Sequence, residues 1–436
     1  MSILKINHKK VFNLFLLFIA TTIIFRKPCT YLIISFIIYN IINYKKLIFL
    51  KTFLPYILII SSPLLIELFF FWNNENFNLG LKSLEKYLSL IVFSFFIIGN
   101  LNQINFYSLL KKYSTSTTLI ILLFILSYCF EKEQFLMSYY YGMNMWQMGY
   151  NIADYIGIHA PALNMHLAFV SICNFYFYFY SKNKSQKISS FFIFLLSFMF
   201  VLIINTRTAF LVSVIGYITI IYFQLKNKKY FLNHLKPILI SLFFVILSTF
   251  IFVKNNNYMF EKYNNLIFEN FDKIGKLDTI ERPEVEVYSA LVTRLTIWKT
   301  ALDLILIKDN FFYGVGSSDS KPELFKYYKQ TNQFFLYKYK FPIHNQYIDF
   351  TLKFGILGLI CILFYIGLIA YLGVKLNNPI ILAFFFIIFL SNLTDDFLIR
   401  FDGIVFSGFW ISLFSAFYLQ KKLKIIIIEK SLVYLF

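Results

Sequence analysis

Apolar runs long enough to cross a lipid bilayer recur from one end of this chain to the other. A helix needs roughly 20 mostly apolar residues to cross about 30 Å of hydrocarbon, and it satisfies its own backbone hydrogen bonds there. Apolar residues make up 59% of the chain and charged residues only 14%, whereas soluble domains average roughly 45–50% and 25%. The surplus must face lipid. The sequence therefore predicts an all-α integral membrane protein with about twelve transmembrane helices.

The predicted spans follow the apolar runs, and flanking Tyr, Asn and Lys residues must complete the shorter crossings. We place them at Val11–Phe25, Tyr31–Asn43, Leu54–Trp72, Leu84–Gly99, Thr118–Phe130, Ala162–Tyr180, Ser190–Ile204, Thr208–Gln224, Pro237–Val253, Gly355–Val374, Ile380–Leu393 and Gly403–Leu419.

Lysine clusters predict the orientation of these spans. The formal net charge of +19 does not indicate nucleic-acid binding, because the lysines stand in short connectors rather than in a soluble domain. With twelve helices, the clusters fall on one side, and the positive-inside rule makes that side the cytoplasm. Both termini are then cytoplasmic. Arg26 and Lys27 are exceptions, since they lie in an outer connector.

One outer connector is far longer than the others, with about ninety residues from Lys254 to Ile343. Usual helix–helix connections have roughly 2–8 residues. We therefore divide the chain into spans one to nine (1–253), an outer loop domain (254–344), and spans ten to twelve with a basic cytoplasmic tail (345–436). Within the loop, Thr293–Ile307 has the spacing of an amphipathic helix, with an apolar face made of Leu295, Trp298, Leu302 and Ile305.

A tight turn is predicted just after that helix, at 312–318, because Gly314 and Gly316 can adopt positive φ.

Two arginines stand near the predicted outer face of the membrane. Arg207 lies in the very short outer connector between spans seven and eight, and Arg294 begins the loop helix. An arginine near a bilayer often only snorkels to the surface. The sharper hypothesis is an anion site at the outer face, where guanidinium groups and the helix start at Arg207 bind phosphate oxygens.

His344 stands where the long loop re-enters the membrane, and imidazole suits general-base work near neutral pH. A hydrogen-bonded histidine at a helix start is the simpler alternative. His159 and His166 are about two turns apart, which favours structural or substrate contacts over a metal pair. Glu67 lies inside the third span and is either functional or a buried, hydrogen-bonded acid.

The sequence contains no pattern typical of a metal or nucleotide site. The four cysteines are scattered, and no Walker A motif is present. Asp395 and Asp396 are adjacent, so on a helix their side chains would point to different faces. We therefore predict neither a bound metal nor a cofactor.

Several motifs together resemble the O-antigen ligase and O-antigen polymerase family of membrane glycosyltransferases. The matching stretches are TRLTIWKTA (293–301), NFFYGVG (310–316), HNQYID (344–349) and FGILGL (354–359), in that order in the largest outer loop and the span after it. The family's Ser-Arg or Thr-Arg element is similar to NTRTA (205–209), and IHAP (158–161) is similar to its histidine-bearing element.

The resemblance implies a metal-independent, inverting enzyme of the bacterial inner membrane with a periplasmic active site. Such enzymes transfer a glycan from undecaprenyl diphosphate to an acceptor hydroxyl, either on lipid A-core or on another glycan. The resemblance makes His344, Arg294 and Arg207 the catalytic candidates. It gives substrate contacts to His159, Trp298, Gly314, Gly316 and Asn345.

Three functions stay open at this point. A ligase is preferred, because the Arg–Trp and His–Asn elements are most similar to members of that kind. A polymerase that joins lipid-linked repeat units is the alternative. A glycan flippase is the second alternative, although transporters often show internal repeats and none is evident here.

Overall fold

The structure, a computed structural model, describes residues 7–133, 145–181, 183–226, 231–254, 270–288, 290–307 and 310–433. Within these residues, every regular element is a helix. The helices longer than ten residues are α1 (His8–Thr22), α2 (Arg26–Ile42), α3 (Leu54–Phe69), α4 (Phe77–Gly99), α5 (Phe106–Glu131), α6 (Met145–Ile156), α7 (Ala160–Tyr180), α8 (Lys184–Ile204), α9 (Arg207–Leu225), α10 (Phe231–Lys254), α11 (Leu291–Ile307), α12 (Ser320–Gln330), α13 (Gln346–Leu376), α14 (Pro379–Thr394) and α15 (Phe401–Val433).

Each of the twelve predicted apolar runs overlaps one of these helices, so the predicted all-α class is confirmed. Among the described residues, seven segments are long and apolar enough to cross a membrane: Lys51–Phe69, Phe106–Glu131, Ala160–Tyr180, Lys184–Ile204, Arg207–Leu225, Gln346–Leu376 and Phe401–Leu423. Lys236–Ile251 and Pro379–Thr394 are shorter apolar helices. The chain is thus a multi-pass membrane protein, and the count of twelve spans stays a prediction.

Two helices form the centre of the bundle. In α7 and α15, 94% and 89% of the most apolar window is buried inside the protein, compared with 33–44% in the other candidate spans. A helix that is apolar all round belongs in an interior. Helix α7 packs against α5, α8, α9 and α14, and α15 packs against α3, α4 and α13. One end of these two helices borders the site described below.

A second, smaller hydrophobic cluster lies in the predicted loop domain. It includes Ile297, Ala301, Tyr328 and Leu336, all at most 1% exposed. The predicted helix is present as α11, and its predicted apolar face is right in part. Ile305 is buried and Trp298 packs against the cluster. Leu302, however, is 46% exposed, and Val292, Thr296, Ala301 and Leu304 also pack inward. The domain boundaries stay a prediction.

Helix α13 is broken near its start, and the break joins it to the loop domain. Gly355 has φ 65° and ψ −154°, a conformation essentially restricted to glycine. Because the helix is interrupted there, the carbonyls of Leu352 and Lys353 accept hydrogen bonds from the N–H groups of Val315 (2.8 Å) and Gly316 (3.0 Å). The break therefore holds the loop domain against the first turns of α13.

Candidate active site

His344 lies at the junction of the loop domain and α13. Its backbone has φ 51°, which is uncommon for a residue other than glycine. The next residue, Asn345, is the N-cap of α13, and its side-chain oxygen accepts hydrogen bonds from the N–H groups of Tyr347 and Ile348. The imidazole Nδ1 of His344 lies 3.3 Å from Oδ1 of Asp395. This pairing leaves Nε2 of the ring available to a substrate.

Asp395 and Asp396 come together with His344 because α14 ends before them. Asp395 has extended backbone (φ −153°, ψ 165°), so the expectation that the two carboxylates diverge on a helix is wrong. The Asp396 N–H donates to Oδ1 of Asp395 at 2.8 Å. Gln346, in the first turn of α13, accepts a hydrogen bond from the N–H of Leu398 at 3.0 Å. This bond ties the aspartate turn to the helix that follows His344.

The two aspartates differ electrostatically. Burial opposes ionisation of Asp395, but its hydrogen bond to His344 and the charge of that ring outweigh burial and lower the pKa of Asp395. Burial, together with the charge of nearby Asp349, raises the pKa of Asp396 to about 6. Oδ1 of Asp396 has no hydrogen-bond partner among the described residues. Asp395 is therefore the carboxylate that orients and stabilises the imidazole.

These three side chains could also hold a cation. One ligand atom from each of His344, Asp395 and Asp396 lies within 4.8 Å of the others, and imidazole with carboxylates is a donor set that many divalent metals accept. However, Nδ1 of His344 already faces Asp395. The expectation that the protein binds no metal stays a prediction, which chelation tests directly.

Arg294 and Trp298 lie one turn apart on α11 and face the same junction. The indole N–H of Trp298 donates to the carbonyl of Ile343 at 3.0 Å, so the helix that carries Arg294 also fixes the residue before His344. Burial lowers the pKa of the Arg294 guanidinium, Asp395 partly offsets this effect, and Arg207 lowers the pKa further. Among the described residues, no carboxylate oxygen lies within 4.0 Å of Arg294. A half-buried, unpaired guanidinium is expected to bind an anion.

Arg207 is the first residue of α9 and is exposed. The turn before it depends on Asn205, which ends α8 in a left-handed conformation (φ 55°). The side-chain amide of Asn164, on the buried helix α7, donates to the Val201 carbonyl (3.2 Å) and to Oγ1 of Thr206 (2.8 Å). The turn is thus held from the centre of the bundle, and Arg207 lies close enough to Arg294 to affect its charge.

His159 lies at the start of α7, near the same site. Burial lowers its pKa, Arg400 lowers it further, and Asp395 opposes both effects. Its Nδ1 is buried with no hydrogen-bond partner among the described residues. His166, by contrast, is 1% exposed within α7 and packs on Phe406 with ring centroids 4.0 Å apart. His166 is therefore a core residue.

The two glycines of the predicted turn do have positive φ, 67° at Gly314 and 89° at Gly316. A Cβ at Gly314 would overlap the backbone of Lys353, and one at Gly316 would overlap the Asn73 carbonyl. Close packing therefore explains why both positions require glycine. Asn345 likewise has a structural role as the N-cap of α13, and Trp298 has one through its hydrogen bond to the Ile343 carbonyl. The substrate contacts predicted for these four residues stay predictions.

The structure thus brings Arg207, Arg294, His344 and His159 to one end of the bundle, near Asp395. Sequence reasoning missed Asp395, and it also missed Tyr150. Burial and the charge of Asp395 raise the pKa of the Tyr150 hydroxyl, and Arg294 lowers it. Asp395 stood in a connector predicted to be acidic and external, but nothing in the sequence shows that this connector contacts the segment of His344, about fifty residues earlier.

Glu67, the acid predicted inside the third span, is 1% exposed and accepts a hydrogen bond from Ser83 at 2.7 Å. Glu67 is therefore a buried, hydrogen-bonded acid.

Comparison with known proteins agrees with the motifs. None of the curated proteins compared with the chain matches it. A family model described as O-antigen ligase matches residues 191–363. The matched segment includes Arg207, Arg294, Trp298 and His344, and it ends within α13. The O-antigen ligase family predicted from the motifs is therefore confirmed, and this membrane protein carries an O-antigen ligase family domain over residues 191–363.

Proposed function

We propose that this protein is a glycosyltransferase of the O-antigen ligase type. In this proposal, it transfers a glycan from undecaprenyl diphosphate to an acceptor hydroxyl on lipid A-core, at the periplasmic face of a bacterial inner membrane. The observation that carries the proposal is the His344–Asp395 pair with Arg207 and Arg294 beside it, inside a segment that matches the O-antigen ligase family.

The proposed transfer is a single displacement. Nε2 of His344 accepts the proton of the acceptor hydroxyl, while Asp395 holds the ring through Nδ1 and stabilises the imidazolium that forms. The acceptor oxygen bonds to the anomeric carbon as the bond from that carbon to the phosphate oxygen breaks. The electron pair leaves with the lipid diphosphate. Attack opposite the leaving group inverts the anomeric centre, and a positioned base typically contributes about 10²–10⁴-fold.

Arg207 and Arg294 would stabilise the leaving group. Charge grows on the diphosphate oxygens as the glycosidic bond breaks, and fixed guanidinium groups in a partly dehydrated site stabilise such charge strongly. Two guanidiniums supply the positive charge that a divalent metal supplies in other transferases. For this reason we propose a metal-independent reaction.

An in vitro transfer assay tests the proposal. Purified protein receives a lipid-diphosphate glycan with or without lipid A-core, and products are resolved on a gel. A single upward shift of the core band indicates a ligase. A ladder of longer lipid-linked glycans without core indicates a polymerase. If folded protein with a matched donor gives no product and releases no lipid diphosphate, the enzyme proposal is wrong and the flippase becomes the better hypothesis.

His344→Ala and Arg294→Ala should each lower the transfer rate by at least about 10²-fold. EDTA should leave the wild-type rate unchanged. Arg282→Ala, which removes an exposed arginine of the loop domain, is the matched control and should retain full activity. Membrane insertion and thermal stability of each variant separate a catalytic loss from misfolding. Full activity in His344→Ala or Arg294→Ala contradicts the role assigned to that residue.

A further inference from the structure

Arginine is rare in this chain and unevenly placed. Only five of its 41 basic residues are arginines, at positions 26, 207, 282, 294 and 400, and all five stand in connectors predicted to lie outside. The connectors predicted to be cytoplasmic use lysine alone. Lysine serves the positive-inside rule equally well, whereas only the planar guanidinium fork binds an oxyanion through two parallel hydrogen bonds. The outer arginines therefore indicate anion recognition rather than orientation.

Two of these arginines lie beside the start of α15. Arg26 begins α2, and its Cζ lies 5.7 Å from the centroid of the Phe401 ring. Arg400 directly precedes Phe401, and its carbonyl accepts the N–H of Ile404 at 3.0 Å, which starts α15. Asp402 lies within electrostatic range of both guanidiniums. We call Arg26 and Arg400 the outer arginine pair.

The outer arginine pair is exposed and carries uncompensated positive charge. Both residues are solvent-exposed. Among the residues that the structure describes, no carboxylate oxygen lies within 4.0 Å of either guanidinium. Asp402 can supply at most one negative charge, whereas the two guanidiniums carry two positive charges. An exposed pair of this kind retains its capacity to bind an incoming oxyanion.

The outer arginine pair is connected to the catalytic site through the connector after α14: Arg400 follows Asp395 by five residues, and Leu398 between them donates its N–H to the Gln346 side chain of α13 at 3.0 Å. Arg400 acts electrostatically on Asp395 and on His159. Arg294 instead interacts most strongly with Asp395, Arg207 and Tyr150. Asp395 is common to both groups, so Arg400 and Arg294 both lie within electrostatic range of the His344–Asp395 pair.

We propose that the outer arginine pair binds a phosphate group of the acceptor, while Arg207 and Arg294 bind the diphosphate of the donor. This inference rests on the proposed function. Transfer between two membrane-anchored substrates brings two anionic groups to one site, and separate arginine pairs keep them apart while the acceptor hydroxyl reaches His344. A phospholipid headgroup offers the same phosphate chemistry, and the experiment below distinguishes the two sources.

The test is an acceptor titration at saturating donor. Full-length protein is placed in zwitterionic lipid nanodiscs, with lipid A-core acceptor that either retains its phosphates or has had them removed enzymatically. Wild-type protein should show a lower KM for the phosphorylated acceptor. Arg26→Gln and Arg400→Gln should each raise that KM about tenfold. The donor KM and the KM for dephosphorylated acceptor should not change.

Two further variants sharpen the result. Arg400→Lys keeps the charge but loses the fork, so it should restore only part of the affinity. Arg282→Gln removes an equally exposed arginine of the loop domain and should change neither KM. If the wild-type protein instead elongates lipid-linked glycans, the same comparison uses an acceptor glycan with and without its lipid diphosphate.

Each outcome decides the proposal. Equal KM increases for both acceptors, or no increase for either, would overturn it. The same titration is repeated in nanodiscs that contain anionic phospholipid. An effect of the variants that depends on this lipid, and not on acceptor phosphate, would assign the pair to lipid headgroups and also overturn the proposal. Absence of any transfer by the wild-type protein would contradict the proposed function itself, and that result is distinct from the others.

Discussion

At the residue scale, the site depends on a strained backbone held from both sides. His344 has positive φ, and such conformations cost on the order of 1–3 kcal/mol and persist only where the surroundings enforce them. The Trp298 indole fixes the preceding carbonyl, and Asn345 starts α13 immediately afterwards. Packing thus forces the ring toward Asp395.

Asp396 provides a stability prediction at this scale. Burial raises its pKa to about 6, above roughly 3.9 for the unfolded chain. Between these values, the folded protein binds more protons than the unfolded chain, so this residue lowers stability as the pH rises from about 4 to about 6. Asp396→Asn removes that penalty and should raise the melting temperature more at pH 7 than at pH 4.5.

Thermal melting of the detergent-solubilised protein measures this difference. Asp303→Asn is the control, because Asp303 is exposed on α11 and its replacement should give the same temperature difference at both pH values. An Asp396→Asn effect that does not depend on pH, or that is larger at pH 4.5, would show that this carboxyl is not held protonated by burial.

At the element scale, the break in α13 at Gly355 helps to position the loop domain. The break frees the carbonyls that bind the 313–316 turn. On the other side of that turn, Asn74 in the connector between α3 and α4 accepts the Ser318 N–H at 2.8 Å, and the Asn73 amide donates to the Tyr313 and Gly314 carbonyls. Helix α13 and the connector between α3 and α4 therefore hold the loop domain in position, and with it Arg294 and Trp298.

Two glycines of α13 test this account. Gly355→Ala places a side chain in a glycine-only conformation and against the Phe312 carbonyl, so it should lower the free energy of unfolding by at least about 2 kcal/mol. Gly367→Ala, in the same helix, meets open space and should be neutral or stabilising by up to about 1 kcal/mol. Melting temperatures measure both, and equal effects would refute the structural role of the break.

At the scale of the whole molecule, lysine placement and the two central helices define the arrangement. Helices α7 and α15 are buried on nearly all sides, so the outer ends of α9, α13 and α14 can gather around them. The predicted orientation places lysine-rich connectors in the cytoplasm and the site opposite them.

Cysteine labelling tests that orientation. Arg282→Cys, in the loop domain, should react with a membrane-impermeant maleimide in intact cells whose outer membrane is permeabilised. Lys187→Cys, in the first turn of α8, should react only after the inner membrane is lysed. The wild-type protein gives the background from its own cysteines, of which Cys29, Cys173 and Cys361 are buried. The reverse labelling pattern would invert the topology.

The sequence by itself determined the helical class, the approximate helix positions, the tight glycine turn and the basic and imidazole groups of the site. These follow from local properties: hydropathy over about 20 residues, glycine's access to positive φ, and the chemistry of arginine and histidine. The same local reasoning placed Leu302 on the buried face of α11, where it is 46% exposed, because the spacing of apolar residues does not show which side of a helix meets a neighbour.

Only the tertiary structure decided that Asp395 pairs with His344, that Asp396 turns toward the same point, and that α13 breaks at Gly355. These features join segments that are distant in the sequence. Asp395 lies about fifty residues from His344 and reaches it only because α13 crosses the bundle and α14 returns beside it. Contacts of this kind depend on packing between helices, and no local pattern of residues encodes them.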